Sequence, residues 1–84
     1  MPTVGDCMRS ISAFNLKACD MRLSEDKKEQ FSLKSSELLA QIERDNHLKS
    51  GDVGNLDAIL SPEAERIFND LLGLESVLLN RRGQ

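Results

Sequence analysis

The stretch SPEAERIFNDLLGLESVLLNRR, residues 61–82, decides the fold class of this chain. It begins with residues that favour the start of a helix. Ser61 can cap the first turn, and Pro62 can occupy the first helical position because the N–H that it lacks has no partner there. The negative charge of Glu63 is stabilised by the positive end of the helix dipole. Its far end carries two cations and a glycine stop, all typical of a helix C-terminus: Arg81, Arg82 and Gly83. We therefore predict a helix over about residues 62–82.

The apolar residues of this helix cover more of its circumference than one packed face needs. A first stripe lies within about 60° on a helical wheel and contains Ile67, Leu71, Leu74 and Leu78. A second stripe lies about 100° further around the helix and contains Phe68, Leu72 and Leu79. With Val77 the apolar arc spans roughly 220°, about twice the width of one core-facing side.

Two explanations of this wide arc stay open. Either the helix is the central one of a bundle and is covered on two sides, or one stripe docks onto a second chain, identical or different. Monomeric proteins usually avoid large exposed apolar patches. We assign the first stripe to the core and predict a protein-interaction surface from the second stripe and the carboxylate at its border: Phe68, Leu72, Glu75 and Leu79.

A helix is also predicted at the N-terminus. Thr3 and Asp6 match a capping box, with Asp in place of the usual Glu. The apolar residues that follow recur at steps of three and four: Cys7, Ile11, Phe14, Ala18 and Met21. This spacing predicts a helix over about residues 4–21.

A middle helix is predicted over about residues 24–48. Ser24 and the two acids after it form a start signal, and Gly51 is suited to a left-handed C-terminal cap. Its apolar stripe is narrow and contains Phe31, Leu38 and Ile42. The first two helices could instead form one helix that bends near Leu23.

Residues 50–61 contain two glycines, Asn and Asp and are predicted to form a loop. The apolar character of Leu56, Ile59 and Leu60 predicts a short helical turn near 55–60 that packs on the bundle. No strand-like alternation is visible in the sequence. The predicted fold class is therefore all-α, a compact bundle of three helices in a single domain over residues 1–84, with the 39% apolar and 30% charged composition of an ordinary globular chain.

Charge and hydropathy argue against several classes of partner. The net charge is −3, and residues 50–84 carry six acids and three bases, so no basic stripe is available for nucleic acid or for an anionic membrane. No apolar run approaches the roughly 20 residues that span a bilayer. The N-terminus lacks the features of a signal peptide, and the two cysteines, Cys7 and Cys19, are expected to be free thiols in the cytoplasm.

Candidate chemistry is sparse. His47 is the only histidine and lies in a polar helix end, so we interpret it as solvated or capping rather than as a base or ligand. Residues 52–63 resemble a calcium loop at Asp52 and Glu63, but Asp57 replaces the required Gly. We expect no enzymatic activity, no cofactor, no metal and no small-molecule substrate.

These observations predict a small acidic helical module that binds another protein or a second copy of itself. By analogy of architecture, phage-encoded inhibitors and secretion-system chaperones are comparably small and helical, so an adaptor, a chaperone or an inhibitor of a larger machine fits. One alternative is a homodimeric helix-turn-helix regulator with its turn at 49–55, which the few polar residues of the last helix disfavour. Another alternative is a structural homo-oligomer.

Overall fold

The computed structural model describes residues 2–46 and 56–79. These two ranges contain three helices, which are α1 (Val4–Met21), α2 (Glu25–Asp45) and α3 (Pro62–Leu78). The all-α class and the three-helix bundle are confirmed, and α1 has the predicted bounds. The predicted continuation of α3 to residue 82 and the predicted cap at Gly51 lie outside the described residues.

Each helix begins at the predicted cap. The Thr3 hydroxyl accepts from the Asp6 N–H at 3.2 Å, while the Thr3 N–H donates to the Asp6 carboxylate at 2.9 Å, which completes the capping box. The Ser24 hydroxyl accepts from the N–H of residue 27 at 3.3 Å. Ser61 caps α3 in the same way, with its hydroxyl 3.2 Å from the Ala64 N–H. All three starts follow from side chains that satisfy otherwise unpaired N–H groups.

The end of α2 comes earlier than predicted. The helix ends at Asp45, and Asn46 donates from both its backbone and its side chain to the Ile42 carbonyl, at 3.1 and 2.9 Å. An Asn side chain that bonds back to the helix competes with helical continuation, which explains the end at this residue. The prediction of a helix to residue 48 is corrected here.

α1 and α2 are separate helices joined by a tight turn. Arg22 adopts the left-handed conformation, with φ 53° and ψ 49°. Its N–H donates to the Cys19 carbonyl at 3.3 Å, and the Leu23 N–H donates to the Ala18 carbonyl at 3.1 Å. This bonding pattern is a Schellman motif. The alternative of one helix bent near Leu23 is therefore wrong for this structure.

The core lies where the three helices meet. α2 and α3 make the most extensive contact, and α1 packs on both of them. Phe14 of α1 stacks on Phe31 of α2 with ring centroids 3.6 Å apart and planes within 8°. The buried apolar side chains are Val4, Cys7, Phe14, Ala18, Phe31, Leu38, Ile42, Leu60, Ala64, Phe68, Leu71 and Leu78.

The segment before α3 runs antiparallel to the residues at the N-terminus of α1. Thr3 and Ile59 form an isolated antiparallel bridge, flanked by bonds from the Leu60 N–H to the Pro2 carbonyl at 3.1 Å and from the Val4 N–H to the Ala58 carbonyl at 2.9 Å. The predicted helical turn near 55–60 is thus reduced to a turn at residues 56–57. Residues 58–60 run alongside the N-terminus instead, because their backbone groups bond there.

Two glycines in helices should respond differently to Ala. Gly73 in α3 has no neighbour within 4 Å of an added Cβ, so Gly73→Ala should raise the free energy of unfolding by about 0.5–1 kcal/mol, through helix propensity alone. At Gly5 in α1 an added Cβ would lie 3.1 Å from the Leu56 carbonyl oxygen, which also accepts the Gly5 N–H at 2.7 Å. Gly5→Ala should therefore bring no gain.

Urea unfolding followed by circular dichroism measures both variants against the parent chain. An equal gain from Gly5→Ala and Gly73→Ala would show that residues 56–60 do not rest against α1.

Candidate interaction surfaces

The predicted interaction residues of α3 differ in how far they are exposed. Phe68 is only 6% exposed and belongs to the core, whereas Leu72 is 37% exposed. Glu75 and Leu79 are partly buried, and Leu79 packs against the core. The assignment of Phe68 to a partner surface is therefore corrected, because its ring is already covered by its own chain.

The residues of the predicted core stripe also differ in burial. Leu71 and Leu78 are buried as predicted, but Ile67 and Leu74 are only partly buried. Ala64, which neither stripe included, is fully buried. α3 is thus turned so that the middle of its apolar arc, rather than the first stripe, faces the core. Both edges of the arc are left partly exposed.

One edge of this arc keeps three of the predicted residues together. We call Leu72, Glu75 and Leu79 the α3 flank, since they lie within about 60° of one another on the wheel. Glu75 has no ion-pair partner among residues 2–46 and 56–79, where the ion pairs connect neighbours on a single helix. A partly buried carboxylate gains most from an opposite charge, so Glu75 is suited to a cation from a partner.

A second apolar surface, which sequence reasoning missed, lies at the N-terminus of α1. Leu56 is 49% exposed and Ile59 is 60% exposed, although both were expected to pack on the bundle. We call these two residues the α1 edge. Of the three large apolar residues Leu56, Ile59 and Leu60, only Leu60 enters the core. The available signal was the nearby Gly, Asn and Asp residues, whose turn chemistry is typical of surface segments.

A charged pair lies in the first turns of α1. Arg9 pairs with the Asp6 carboxylate one turn before it on α1. The bond from the Thr3 N–H, helped by Arg9, lowers the pKa of Asp6 below its ordinary value. The carboxylate therefore stays ionised at neutral pH and holds the first turn of α1, on which residues 56–60 rest.

The other strongly exposed apolar residues stand apart from these surfaces. Leu16 on α1 and Leu33 on α2 are 69% and 65% exposed and point away from the buried stripes of their helices. Val77, at 69% exposed, lies on the opposite side of α3 from Leu72. Single exposed apolar side chains are common on protein surfaces and define no site.

The cysteines differ in their surroundings. Cys7 is buried, and burial, with a smaller contribution from the negative charge of Asp6, raises the pKa of its thiol to about 11. It therefore stays protonated at neutral pH and behaves as a core residue, as predicted. Cys19 is exposed.

The described part of the chain has neither a metal site nor a pocket. Within residues 2–46 and 56–79 no group of three or more His, Cys, Asp or Glu side chains could hold a metal ion, and no pocket opens. None of the helices there combines the length and apolar character that crossing a bilayer requires. His47 and the first positions of the calcium-loop comparison lie outside the described residues.

No protein-family model, curated protein or solved structure matches this chain.

Proposed function

We propose that this chain is a protein-binding module, an adaptor, chaperone or inhibitor, that docks on its partner through the α3 flank. The observation that carries the proposal is the exposure of Leu72 on the same side of α3 as the partly buried Glu75 and Leu79. Their spacing of i, i+3 and i+7 is the anchor pattern of a helix that lies in an apolar groove. The free thiols of Cys7 and Cys19 are consistent with a cytoplasmic setting.

Each residue of the α3 flank has a separate part in this binding mode. Leu72 would enter the partner groove, and each further CH₂ group buried contributes about 0.8 kcal/mol. Leu79 would extend the contact toward the end of the helix. Glu75 would pair with a cation at the border and so fix the register of the two surfaces. Two leucines cover much less than the roughly 800 Å² per partner of a standard interface, so a tight complex needs further contacts.

The surface of α3 weighs against the helix-turn-helix alternative. Its exposed residues include Glu63 and Asp70 beside Arg66 and Asn69, so acids accompany the groups that could contact DNA. A phosphate backbone repels such a surface. The structural homo-oligomer remains the second candidate.

The α3 flank is tested by a charge introduced at its most exposed residue. Leu72→Glu should leave the helical signal and thermal unfolding nearly unchanged, since the side chain is already 37% exposed. It should weaken partner binding by at least about tenfold, because a carboxylate would be buried in the complex without a cation. The measurement is affinity capture from the source cells with the parent chain and each variant as bait, followed by titration of the captured protein.

Leu33→Glu is the matched control, because it makes the same change at a 65% exposed position on α2. A partner retained by Leu33→Glu and lost by Leu72→Glu supports the proposal. Equal binding by both variants excludes the α3 flank, and selective loss with Ile59→Glu would move the interface to the α1 edge.

A further inference from the structure

Three residues, Arg22, Leu23 and Ser24, connect α1 to α2. We propose that this chain exchanges α1 with a second copy and forms a dimer in which α1 and α2 run as one continuous helix. The partner is thus a second copy of this chain, and the docking surface is the groove between α2 and α3 that α1 already occupies. This inference does not depend on the α3 flank.

The turn between α1 and α2 is strained. Arg22 is the only non-glycine residue with positive φ in residues 2–46 and 56–79. The left-handed conformation brings the Cβ of an L-residue too close to the following carbonyl oxygen, and Gly is the usual residue at this position of a Schellman motif. The closed turn therefore contains a conformational cost that disappears when residue 22 becomes helical.

The turn also lacks residues that would stop a helix. Residues 22–24 are Arg, Leu and Ser, with neither Gly nor Pro. Arg and Leu are among the good helix formers, and Ser is acceptable in a helix interior. Residues 4–45 could thus form one helix of 42 residues, about 63 Å long at 1.5 Å per residue. Short connections under strain favour exchange between copies for this reason.

The contacts that hold α1 in place could equally be supplied by a second copy. α2 and α3 form the main helix pair, and α1 docks on both through its buried side chains and the Phe14–Phe31 stack. In the exchanged dimer α1 of one copy would make these same contacts with α2 and α3 of the other copy. The core is therefore unchanged, and only the turn distinguishes the two forms.

Two substitutions at the turn should move the equilibrium in opposite directions. Arg22→Gly relieves the closed turn and weakens the continuous helix, so the dimer association constant should fall at least about tenfold. Ser24→Ala removes the α2 cap from the closed form and favours the continuous helix, so the constant should rise about tenfold or more. Each effect counts twice, because two closed turns are replaced by continuous helix when one dimer forms.

Ser61→Ala is the matched control, because it removes the cap of α3 without touching the turn. The full chain and each variant are heated to the unfolding midpoint at high concentration and cooled, and the mass is measured by light scattering across a dilution series. Small-angle scattering then gives the longest dimension, which is about 40 Å for the single copy and at least about 63 Å for a dimer with the continuous helix.

We expect a wild-type dimer of the longer dimension that Arg22→Gly suppresses, that Ser24→Ala enriches and that Ser61→Ala leaves unchanged. A dimer that is insensitive to Arg22→Gly, or that lacks the longer dimension, overturns the proposal. So does a single-copy mass for both the wild type and Ser24→Ala at the highest concentration. If Ser24→Ala fails to fold, the comparison of wild type with Arg22→Gly still shows whether the dimer depends on the turn. Leu72→Glu should not change this dimer, so the proposal fails or stands independently of the α3 flank.

Discussion

Replacing Phe14 by Ala should lower the free energy of unfolding by about 3–5 kcal/mol. Phe14 is 1% exposed, and its ring stacks on Phe31 across the α1–α2 contact. Since α1 has less contact with the other helices than they have with each other, the loss of this ring removes a major part of its docking energy. A chain of 84 residues is stable by roughly 4–13 kcal/mol, so the variant should be near its unfolding threshold.

Urea unfolding at fixed pH measures this loss, and two variants serve as controls. Phe14→Leu keeps most of the apolar volume and should cost about 1–2 kcal/mol. Leu16→Ala changes a 69% exposed residue on the outer side of the same helix and should change stability by no more than about 0.5 kcal/mol. If Phe14→Ala costs no more than Leu16→Ala, then α1 is not packed on the bundle as described.

The helix starts could be predicted because their causes are local. A cap needs only a side chain and an N–H group three residues later. Thr3, Ser24 and Ser61 were each identified from such neighbours, and each makes the expected bond. The buried residues of α2 were predicted for a similar reason, because its apolar stripe is narrow and allows one orientation only.

The orientation of α3 could not be predicted in this way. Periodicity gives the width of an apolar arc, but the part that faces the core depends on the helices around it. The arc of α3 is wide enough to allow more than one orientation. Ala64, whose small apolar side chain lets neighbouring helices approach closely, was not counted as a core residue at all, although it is fully buried. Its burial moves the centre of the core face toward Phe68.

The course of residues 56–60 depends on a contact far away in the sequence. The bridge between Thr3 and Ile59 joins residues separated by more than half of the chain. Local pattern cannot reveal which backbone groups will bond across such a distance, and the apolar character of Leu56 and Ile59 suggested burial instead. The left-handed conformation of Arg22 could not be predicted either, because the usual sequence signal of a Schellman motif is Gly.

Phe68→Ala and Leu72→Ala distinguish the observed orientation of α3 from the predicted one. With the middle of the arc facing the core, Phe68→Ala should cost about 3–5 kcal/mol, because it leaves a cavity at a position that is 6% exposed. Leu72→Ala should cost about 1 kcal/mol or less, since Leu72 is 37% exposed. If both residues lay on a partner surface, both changes would be small in the isolated chain. Urea unfolding measures the free energy of unfolding of both variants. If both changes lower it by an equal, small amount, Phe68 belongs to the interaction surface after all. A large difference leaves Leu72, Glu75 and Leu79 as the predicted interaction residues that a partner can contact.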